Sequence, residues 1–381
     1  MTEKLYYKDA YLKEFTALVI SCDLTDAGYD IILDKTAFFP EEGGQYSDKG
    51  YIEESEVFDV REVDEIIHHY AKKAVNVNES VHCSIDFDER FDKMQQHTAE
   101  HMISGFFHKL YGIENTGFHL GAVDVTLDTS KPVTAEQLAY VEGLVNIAVT
   151  RNIKIETLFP KSEELSALEY RSKLDLTENV RIVNIGDVDS CACCAPHVSF
   201  TGEVGMVKFV DAVKHKGGSR IRMLAGKRAY EYVAKIMREA AGVSVLLSSP
   251  QSEISGEVKK LLEAKLELEY SLKQKGIAMA EMQAEAIAES DSDVVVYNPA
   301  FDMDAMRAFV NKASSKISGT IVALSGEDGA YKYILYSKSD DFQGIVKEAN
   351  SALSGRGGGR APMASGTFSK TLSEIENYFK K

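Results

Sequence analysis

Four side chains in two separate stretches of the sequence have the types and spacing of metal ligands. His97 and His101 are four residues apart in a segment whose apolar residues recur at helical spacing, which puts both imidazoles on one helix face, one turn apart. Cys193 and His197 form a second pair after a strand-like run. Because zinc prefers imidazole and thiolate ligands, His97, His101, Cys193 and His197 together predict one Zn²⁺ per chain.

A purely structural zinc site is an alternative. It would use Cys191, Cys193, Cys194 and His197 and leave the first histidine pair out. Zinc-finger ligand pairs usually leave two to four residues between the ligands, and the single residue between Cys191 and Cys193 fits that spacing poorly. The role of Cys191 and Cys194 stays open at this stage.

The first histidine pair does not have the metalloprotease pattern. That pattern needs Glu directly after the first histidine as general base, whereas Thr98 stands there and Glu100 precedes the second histidine. Peptidase activity is therefore disfavoured. His108 and His119 lie close by in the sequence and are open candidates for a substrate contact or for an ordinary packed position.

Composition and charge restrict the class of protein. The chain has 381 residues, a formal net charge of −16 and five cysteines, so a disulfide scaffold is excluded. No apolar run approaches the ~18 residues of a membrane span, and the first residues lack a secretory signal, which predicts a cytoplasmic protein without a membrane partner. The acidic charge disfavours nucleic acid binding, but one stretch is locally basic and could meet a phosphate backbone. Its cations are Lys208, Lys214, Lys216, Arg220, Arg222, Lys227, Arg228, Lys235 and Arg238.

The hydrophobic patterns predict a mixed α+β chain in four parts. Residues 1–88 contain short strand-like runs typical of a small antiparallel barrel, interrupted by the glycine-containing FFPEEGGQYSDKG. Residues 89–240 contain the metal ligands, starting with a helix that Gly112 ends. Residues 241–290 predict a helical arm with apolar residues at three- and four-residue steps. Residues 291–381 predict an α/β unit that includes GRGGGRAPMASG.

Five motifs resemble those of a known family, in the same order. RFDKMQQHTAEHMISG and CCAPHVSFTGEVG are similar to the two zinc half-sites of the alanyl-tRNA synthetase editing domain. FFPEEGGQYSDKG resembles the glycine-rich motif of that domain, and GGSRIRMLAGKRA the segment after it. GRGGGRAPMASG resembles the glycine-rich signature of the synthetase C-terminal domain. The chain is most similar to free-standing alanyl-tRNA editing proteins of the long type (AlaX).

Two departures from the family pattern affect the pocket rather than the ligands. Cys194, Ala195 and Pro196 stand where the family commonly has Gly-Gly-Thr between the cysteine and the histidine. The glycine motif has Gly43 and Gly44 after two glutamates, one glycine fewer than the common triplet. Either change could alter substrate preference.

The resemblance implies a trans-editing hydrolase that removes serine, and also glycine, from tRNA(Ala) at a zinc site. Segments for amino acid attachment and for ATP are absent from the sequence pattern, so hydrolysis is expected to be independent of ATP. Thr36 and Gln45 are the candidates for the pocket that distinguishes serine from alanine, because a hydroxyl or amide there could bind the serine hydroxyl. The C-terminal part is expected to bind tRNA and to form a homodimer. The predicted tRNA contacts are Lys214, Lys216, Arg220, Arg222, Gly357, Gly358, Gly359 and Arg360.

Two other functions compete with editing. One is a zinc-dependent hydrolase of small esters or amides, which the acidic charge favours. The other is a non-catalytic tRNA-binding module whose zinc is structural, with the glycine-rich loop around Gly357–Arg360 as a phosphate-binding or merely flexible loop. Binding of tRNA separates editing and the binding module from the small-ester hydrolase. A deacylation assay separates editing from binding alone.

Overall fold

The computed structural model describes residues 1–165, 168–172 and 180–380. The chain forms two compact units, Met1–Glu239 and Ala240–Lys381. Both contain helices and strands, which confirms the predicted mixed α+β class. The finer division into four parts stays a prediction. Among the described residues, no helix has both the length and the apolar character that a membrane span requires.

The first unit begins with strands and continues with alternating helices and strands. Its elements are β1 (Glu3–Lys4), β2 (Glu14–Thr25), β3 (Gly28–Leu33), β4 (Lys35–Thr36), β5 (Gly50–Ile52), β6 (Ser55–Val63), β7 (Ile66–Ala71), β8 (Ser80–Ile85), α1 (Phe87–Tyr111), β9 (Asn115–Leu120), β10 (Val125–Thr129), α2 (Ala135–Thr150), β11 (Glu156–Leu158), α3 (Ser162–Leu165), β12 (Ile182–Ile185), β13 (Asp189–Ala192), β14 (Val207–His215) and β15 (Gly218–Ala225). The next helix, α4 (Gly226–Leu247), contains the boundary between the two units.

Six antiparallel strands at the start of the chain enclose one core. Their order is β2-β3-β7-β6-β5-β8, and because β8 also pairs with β2 they form a closed barrel. Phe15, Ala17 and Val19 of β2 point inward and alternate with exposed residues, as expected for a strand with one buried face. The glycine-containing segment FFPEEGGQYSDKG connects β4 to β5.

Helix α1 follows the barrel and is buried along most of its length. Asp86 caps its start by accepting a hydrogen bond from the Glu89 amide, and Gly112, with φ of 58°, ends it in the left-handed conformation. Gly105 lets the helix approach β13 closely, since a Cβ there would lie 2.5 Å from the Val188 carbonyl oxygen. This approach brings the middle of α1 beside the chain that leads to Cys193.

Two small sheets surround α1. One has the order β14-β15-β10-β9 and the other β11-β12-β13, and both are antiparallel. In the second sheet Cys191 is opposite Val183, so that the chain leaves β13 at Ala192 directly before the second pair of candidate ligands. Met94, Met102 and Phe107 of α1 are buried in the core that these sheets share.

The second unit consists of two helices at its start, one mixed sheet and three further helices. Its elements after α4 are α5 (Ile254–Ala286), β16 (Val294–Tyr297), α6 (Met303–Ala313), β17 (Ile321–Ser325), β18 (Tyr331–Tyr336), α7 (Phe342–Ala352), β19 (Arg356–Arg360), β20 (Met363–Phe368) and α8 (Leu372–Phe379). The strand order is β16-β17-β18-β20-β19, in which only β16 and β17 are parallel.

The predicted helical arm, residues 241–290, contains the end of α4 and the long helix α5, with a short break between them. Helix α5 has 33 residues and packs on α6 through its buried Ala280 and Ala284. Leu261, Leu268 and Leu272, which belong to the predicted apolar seam, are exposed. The helix is therefore anchored by small residues at its C-terminal end, where α6 can approach closely.

The glycine-rich segment predicted as a phosphate-binding or flexible loop is a strand. Arg356–Arg360 form β19, which pairs with β20 at the edge of the sheet. The glycines serve close packing: a Cβ on Gly357 would lie 2.4 Å from the Ser365 carbonyl oxygen, and one on Gly359 would lie 2.2 Å from that of Met363. Glycine runs are typical of loops, but here the neighbouring strand leaves no room for a side chain at Gly357 or Gly359.

Candidate metal centre

The two histidines of α1 and the second ligand pair meet inside the first unit. His97 and His101 lie one turn apart with ring centroids 5.3 Å from each other. Cys193 and His197 lie on the segment after β13, and the His197 ring is 4.6 Å from that of His101 and 5.0 Å from that of His97. The three imidazoles are at most 6% exposed. The structure thus brings all four predicted ligands together.

The geometry of the four side chains suits a single ion. One donor atom from each residue lies within 4.8 Å of the others. The Cys193 Sγ is 3.3 Å from His197 Nε2 and 3.6 Å from His97 Nε2. Three imidazole nitrogens and one sulfur form a donor set that zinc prefers, so the residues present fit the predicted ion.

Each imidazole is held by a hydrogen bond at the nitrogen that does not face the sulfur. His97 Nδ1 is 3.0 Å from Gln45 Oε1, and His197 Nδ1 is 3.0 Å from Thr98 Oγ1. His101 Nδ1 is 3.2 Å from a carboxylate oxygen of Asp189. Such partners fix the orientation and tautomer of metal-binding histidines. They leave the three Nε2 lone pairs for an ion.

Asp189 is itself held by a cation. Arg171 donates from Nε and Nη2 to both oxygens of the Asp189 carboxylate, at 2.8 Å each. His101, Asp189 and Cys191 form a second group with donor atoms within 4.8 Å. Because the bidentate guanidinium already neutralises the carboxylate, this group serves to orient His101 rather than to hold a second cation.

The electrostatics of the centre favour the metal-binding form of the cysteine. Burial raises the pKa of the Cys193 thiol, but the imidazoles of His97, His197 and His101 outweigh it and lower that pKa well below its usual value. Burial lowers the pKa of His197 to about 3, which keeps its ring neutral. Thiolate and neutral imidazole are the forms that bind metal ions.

The glycine-containing segment lies against this centre. Gly44 and Gly43 have positive φ values of 84° and 64°, and a Cβ on Gly44 would lie 2.5 Å from the Phe118 carbonyl oxygen. The Phe118 ring packs 5.0 Å from that of His97. Gln45 is fully buried, and its Nε2 has no hydrogen-bond partner within the described part of the chain. One buried donor beside the metal ligands is therefore without a partner among the described residues.

Thr36 lies inside the barrel, and its hydroxyl is already engaged. Its Oγ1 is 2.9 Å from Nε2 of the buried His69 and accepts a hydrogen bond from the Phe38 amide at 3.1 Å. His69 Nδ1 contacts the Ile31 carbonyl oxygen, so Nε2 is the acceptor and the Thr36 hydroxyl donates to it. A substrate hydroxyl would have to replace or share these bonds.

The predicted basic contacts differ in how free their charges are. Lys214 and Lys216 are exposed on the hairpin of β14 and β15, and among the described residues neither forms an ion pair. Arg220 donates to both carboxylate oxygens of Asp128. Arg222 pairs with Asp211 and with Asp124. The two lysines are thus more available to phosphate groups than the two arginines.

The predicted contacts of the second unit lie on its edge strand. Gly357, Gly358, Gly359 and Arg360 are exposed in β19. Asn350 and Gln343 of α7 donate to the carbonyl oxygens of Gly357 and Gly359, at 3.2 and 3.0 Å. Only the backbone and the flanking arginines of this strand can contact a partner.

Several residues that shape the metal centre were missed from the sequence. Thr98, Asp189 and Arg171 act through the ligands, and no spacing rule indicated them. Asp189 is acidic and two residues before a cysteine in a strand that faces α1, a signal that could have been used. Neither competing histidine belongs to the ligand group: His108 pairs with Glu114 at 2.6 Å, and the side chain of His119 is exposed.

Comparisons with known proteins agree with this organisation. Residues 10–89 match class II (A) tRNA synthetases, 180–224 the second additional domain of threonyl and alanyl tRNA synthetases, and 291–381 the DHHA1 domain. The alanyl-tRNA editing protein AlaX-L of Pyrococcus horikoshii is 28% identical, over 98% of this chain and 96% of that protein. The editing protein Aarsd1 of Mus musculus is 26% identical, over 98% and 95%. The chain is similar to alanyl-tRNA editing proteins over 98% of its length.

The resemblance predicted from the five motifs is thereby confirmed. The alanine–tRNA ligase of Archaeoglobus fulgidus is 28% identical over 98% of this chain, which corresponds to 43% of that ligase. The similarity extends through the barrel, the metal centre and the second unit alike.

Proposed function

We propose that this protein hydrolyses the ester bond of tRNA(Ala) that carries the wrong amino acid, serine or glycine. The buried cluster of three imidazoles and one thiolate supports this proposal most strongly, because it lies in a chain related throughout to alanyl-tRNA editing proteins. A metal centre beside a glycine-lined segment is suited to ester hydrolysis. The reaction needs no nucleotide.

His97, His101, Cys193 and His197 would hold one Zn²⁺. When bound, the ion would polarise the ester carbonyl, lower the pKa of a water molecule, or only position the amino group of the substrate. The chain itself keeps the four ligands in place through Gln45 and the other buried partners, so that little reorganisation accompanies the reaction.

Gln45 is proposed to act on both the centre and the substrate. Its Oε1 accepts from His97 Nδ1, and its buried Nε2 is a donor without a partner among the described residues. A serine hydroxyl or an ester carbonyl would satisfy this donor, whereas leaving it unsatisfied costs about 1–3 kcal/mol. Thr36 stays a candidate for serine discrimination, provided that its bond to His69 can be shared.

The body of tRNA(Ala) is proposed to contact the exposed Lys214 and Lys216 and the edge strand Gly357–Arg360. Free cations and exposed backbone amides are the groups that bind phosphates. Arg220 and Arg222 would contribute less, because carboxylates already neutralise them. Dimerisation through the second unit and action in the cytoplasm, where tRNA is charged, belong to the same proposal.

The decisive experiment is release of labelled serine from seryl-tRNA(Ala), with correctly charged alanyl-tRNA(Ala) in parallel. We expect rapid release of serine, little release of alanine, and loss of activity in Cys193→Ala. Cys22→Ala is the matched control, because this partly buried thiol lies on β2 of the barrel, outside the ligand cluster, and its loss should leave most activity intact. Hydrolysis of simple amino acid esters at the same rate, without tRNA binding, would instead favour a small-ester hydrolase. Binding of tRNA without hydrolysis of either ester would favour the binding module.

A further inference from the structure

The backbone around the ligand Cys193 is held by a buried arginine, whereas the three imidazoles are held at their ring nitrogens. Arg181 donates from Nη1 to the carbonyl oxygen of Cys193 at 2.7 Å and to that of Ala195 at 2.8 Å. Its own carbonyl oxygen accepts from the Cys193 amide at 3.0 Å. We propose that Arg181 is a positioning residue that holds the Cys193–Ala195 turn closed and so presets the cysteine for metal binding.

The surroundings of Arg181 fix the guanidinium in this role. The residue is 8% exposed, and its guanidinium carbon lies 5.3 Å from the centre of the Tyr7 ring. Nη2 reaches only Thr157 Oγ1, at 3.5 Å, and Nε has no partner in the described part of the chain. The two short bonds to the turn are therefore the strongest hydrogen bonds that this side chain makes.

Stability alone does not explain why the guanidinium of Arg181 is buried. Replacing a buried charged group by an apolar one of similar volume is often neutral or stabilising, because burial of charge is costly. Arg181 is paired with no carboxylate among the described residues, and burial lowers the pKa of its guanidinium. The fold thus keeps a cation beside the metal-binding turn, where it binds two carbonyl groups that flank Cys194.

The consequence should appear in metal affinity rather than in folding. Without the guanidinium, two carbonyl groups of the turn lose their donor, and Cys193 must be ordered when the ion binds. Residues that orient metal ligands typically change affinity by about 10- to 100-fold. The inference rests on the metal centre used in the proposed function but not on the substrate, so that it can fail or succeed independently of tRNA hydrolysis.

The test is competition for Zn²⁺ between the metal-free full-length protein and a chromophoric chelator. Arg181→Met keeps much of the side-chain volume against Tyr7 but removes both bonds, and we expect about 10- to 100-fold weaker zinc binding. Arg228→Met is the matched control, because Arg228 is also largely buried and donates to the Gly121 carbonyl oxygen at 2.7 Å, outside the ligand cluster. Its zinc affinity should stay within about twofold of the wild type, since it has no contact with a ligand.

Unchanged zinc affinity in a folded Arg181→Met protein overturns the proposal. An equal loss in both variants also overturns it, because the effect would then follow from general destabilisation. If Arg181→Met does not fold, Arg181→Lys decides the question: an ammonium keeps the charge but not the planar fork. Affinity lowered at least about threefold in Arg181→Lys supports the positioning role, and wild-type affinity refutes it. If zinc affinity falls as expected while no ester is ever cleaved, the editing function fails and the positioning role stands.

Discussion

The metal centre and the glycine-rich edge strand differ in which groups can bind a partner: buried side chains in the first, and exposed backbone in the second. In the metal centre, side chains carry the chemistry, and each imidazole has a buried hydrogen-bond partner from a distant part of the sequence. In Arg356–Arg360 three successive glycines leave the backbone and two flanking arginines as the only groups that can contact a partner. Buried contacts hold the metal centre in place, whereas the edge strand is exposed and its three glycines have no side chains.

This difference determines how each site can fail. A buried site loses function when a ligand or its partner is removed, even though the fold survives. The edge strand is sensitive to added atoms at Gly357 and Gly359, since backbone atoms of β20 lie within 2.2–2.4 Å of their Cβ positions. Removing side-chain atoms should therefore impair the metal centre, and adding side-chain atoms should impair the edge strand.

The largest effect should come from removing the metal. Dialysis against a strong chelator is expected to reduce deacylation of seryl-tRNA(Ala) by at least about 1000-fold, because the loss of Lewis-acid stabilisation amounts to several kcal/mol. Adding one equivalent of Zn²⁺ should restore it, and elemental analysis should find about one zinc per chain. Full activity in a protein shown to be free of metal would remove the centre from the proposed mechanism and leave only its structural role.

The second prediction tests whether the buried hydrogen-bond partners of the histidines contribute to zinc affinity. Asp189→Asn keeps the shape of the side chain but weakens the link between Arg171 and His101. Zinc affinity should fall about 10- to 100-fold. Asp187→Asn is the matched control, because that carboxylate is exposed and pairs with Arg151. Equal affinities in the two variants would show that the ligands alone define the centre.

How far the sequence predicts each site follows from the same difference. The four ligands were predicted because imidazole and thiolate groups at helical and short loop spacings are typical of zinc sites. Asp189 and Arg171 were missed, since they act on His101 only after α1 packs on β13. Arg181 was missed because its bonds to the carbonyl oxygens of Cys193 and Ala195 exist only in the folded chain. Two of the strand-like runs in the first 88 residues, FTALVISC and YDIILD, coincide with β2 and β3, because one-sided burial produces alternation in the sequence.

The edge strand was mispredicted as a loop for a physical reason. Glycine lowers strand propensity, and local preference alone therefore favours a loop at GRGGGR. The close approach of β20 to Gly357 and Gly359 is a tertiary constraint, which no local pattern contains. The same limit applies to α5, where exposed leucines gave a seam-like pattern although small alanines make the packing contact with α6.

A third prediction tests the packing reason for the glycines. Gly359→Ala places a Cβ 2.2 Å from the Met363 carbonyl oxygen and 2.7 Å from the Ala364 Cα, so β19 must shift. Overpacking of this kind costs about 1–3 kcal/mol, measurable as a lower midpoint of urea unfolding of the second unit. Gly358→Ala is the matched control, because no atom lies within 4 Å of its Cβ position. Equal midpoints in both variants would mean that the strand is not tightly packed.

The smallest effects are expected for variants of single exposed cations, and they should show which of these cations contact tRNA. Arg360→Ala removes an exposed cation of the edge strand, and Lys216→Ala removes one from the first unit. If both contact phosphates, each variant should lower the salt dependence of tRNA binding by about one unit of slope in a plot of log K against log salt concentration. Arg220→Gln should change this slope less, because Asp128 already neutralises Arg220. A change with Lys216→Ala but none with Arg360→Ala would assign tRNA binding to the first unit and leave the glycines of β19 a purely structural role.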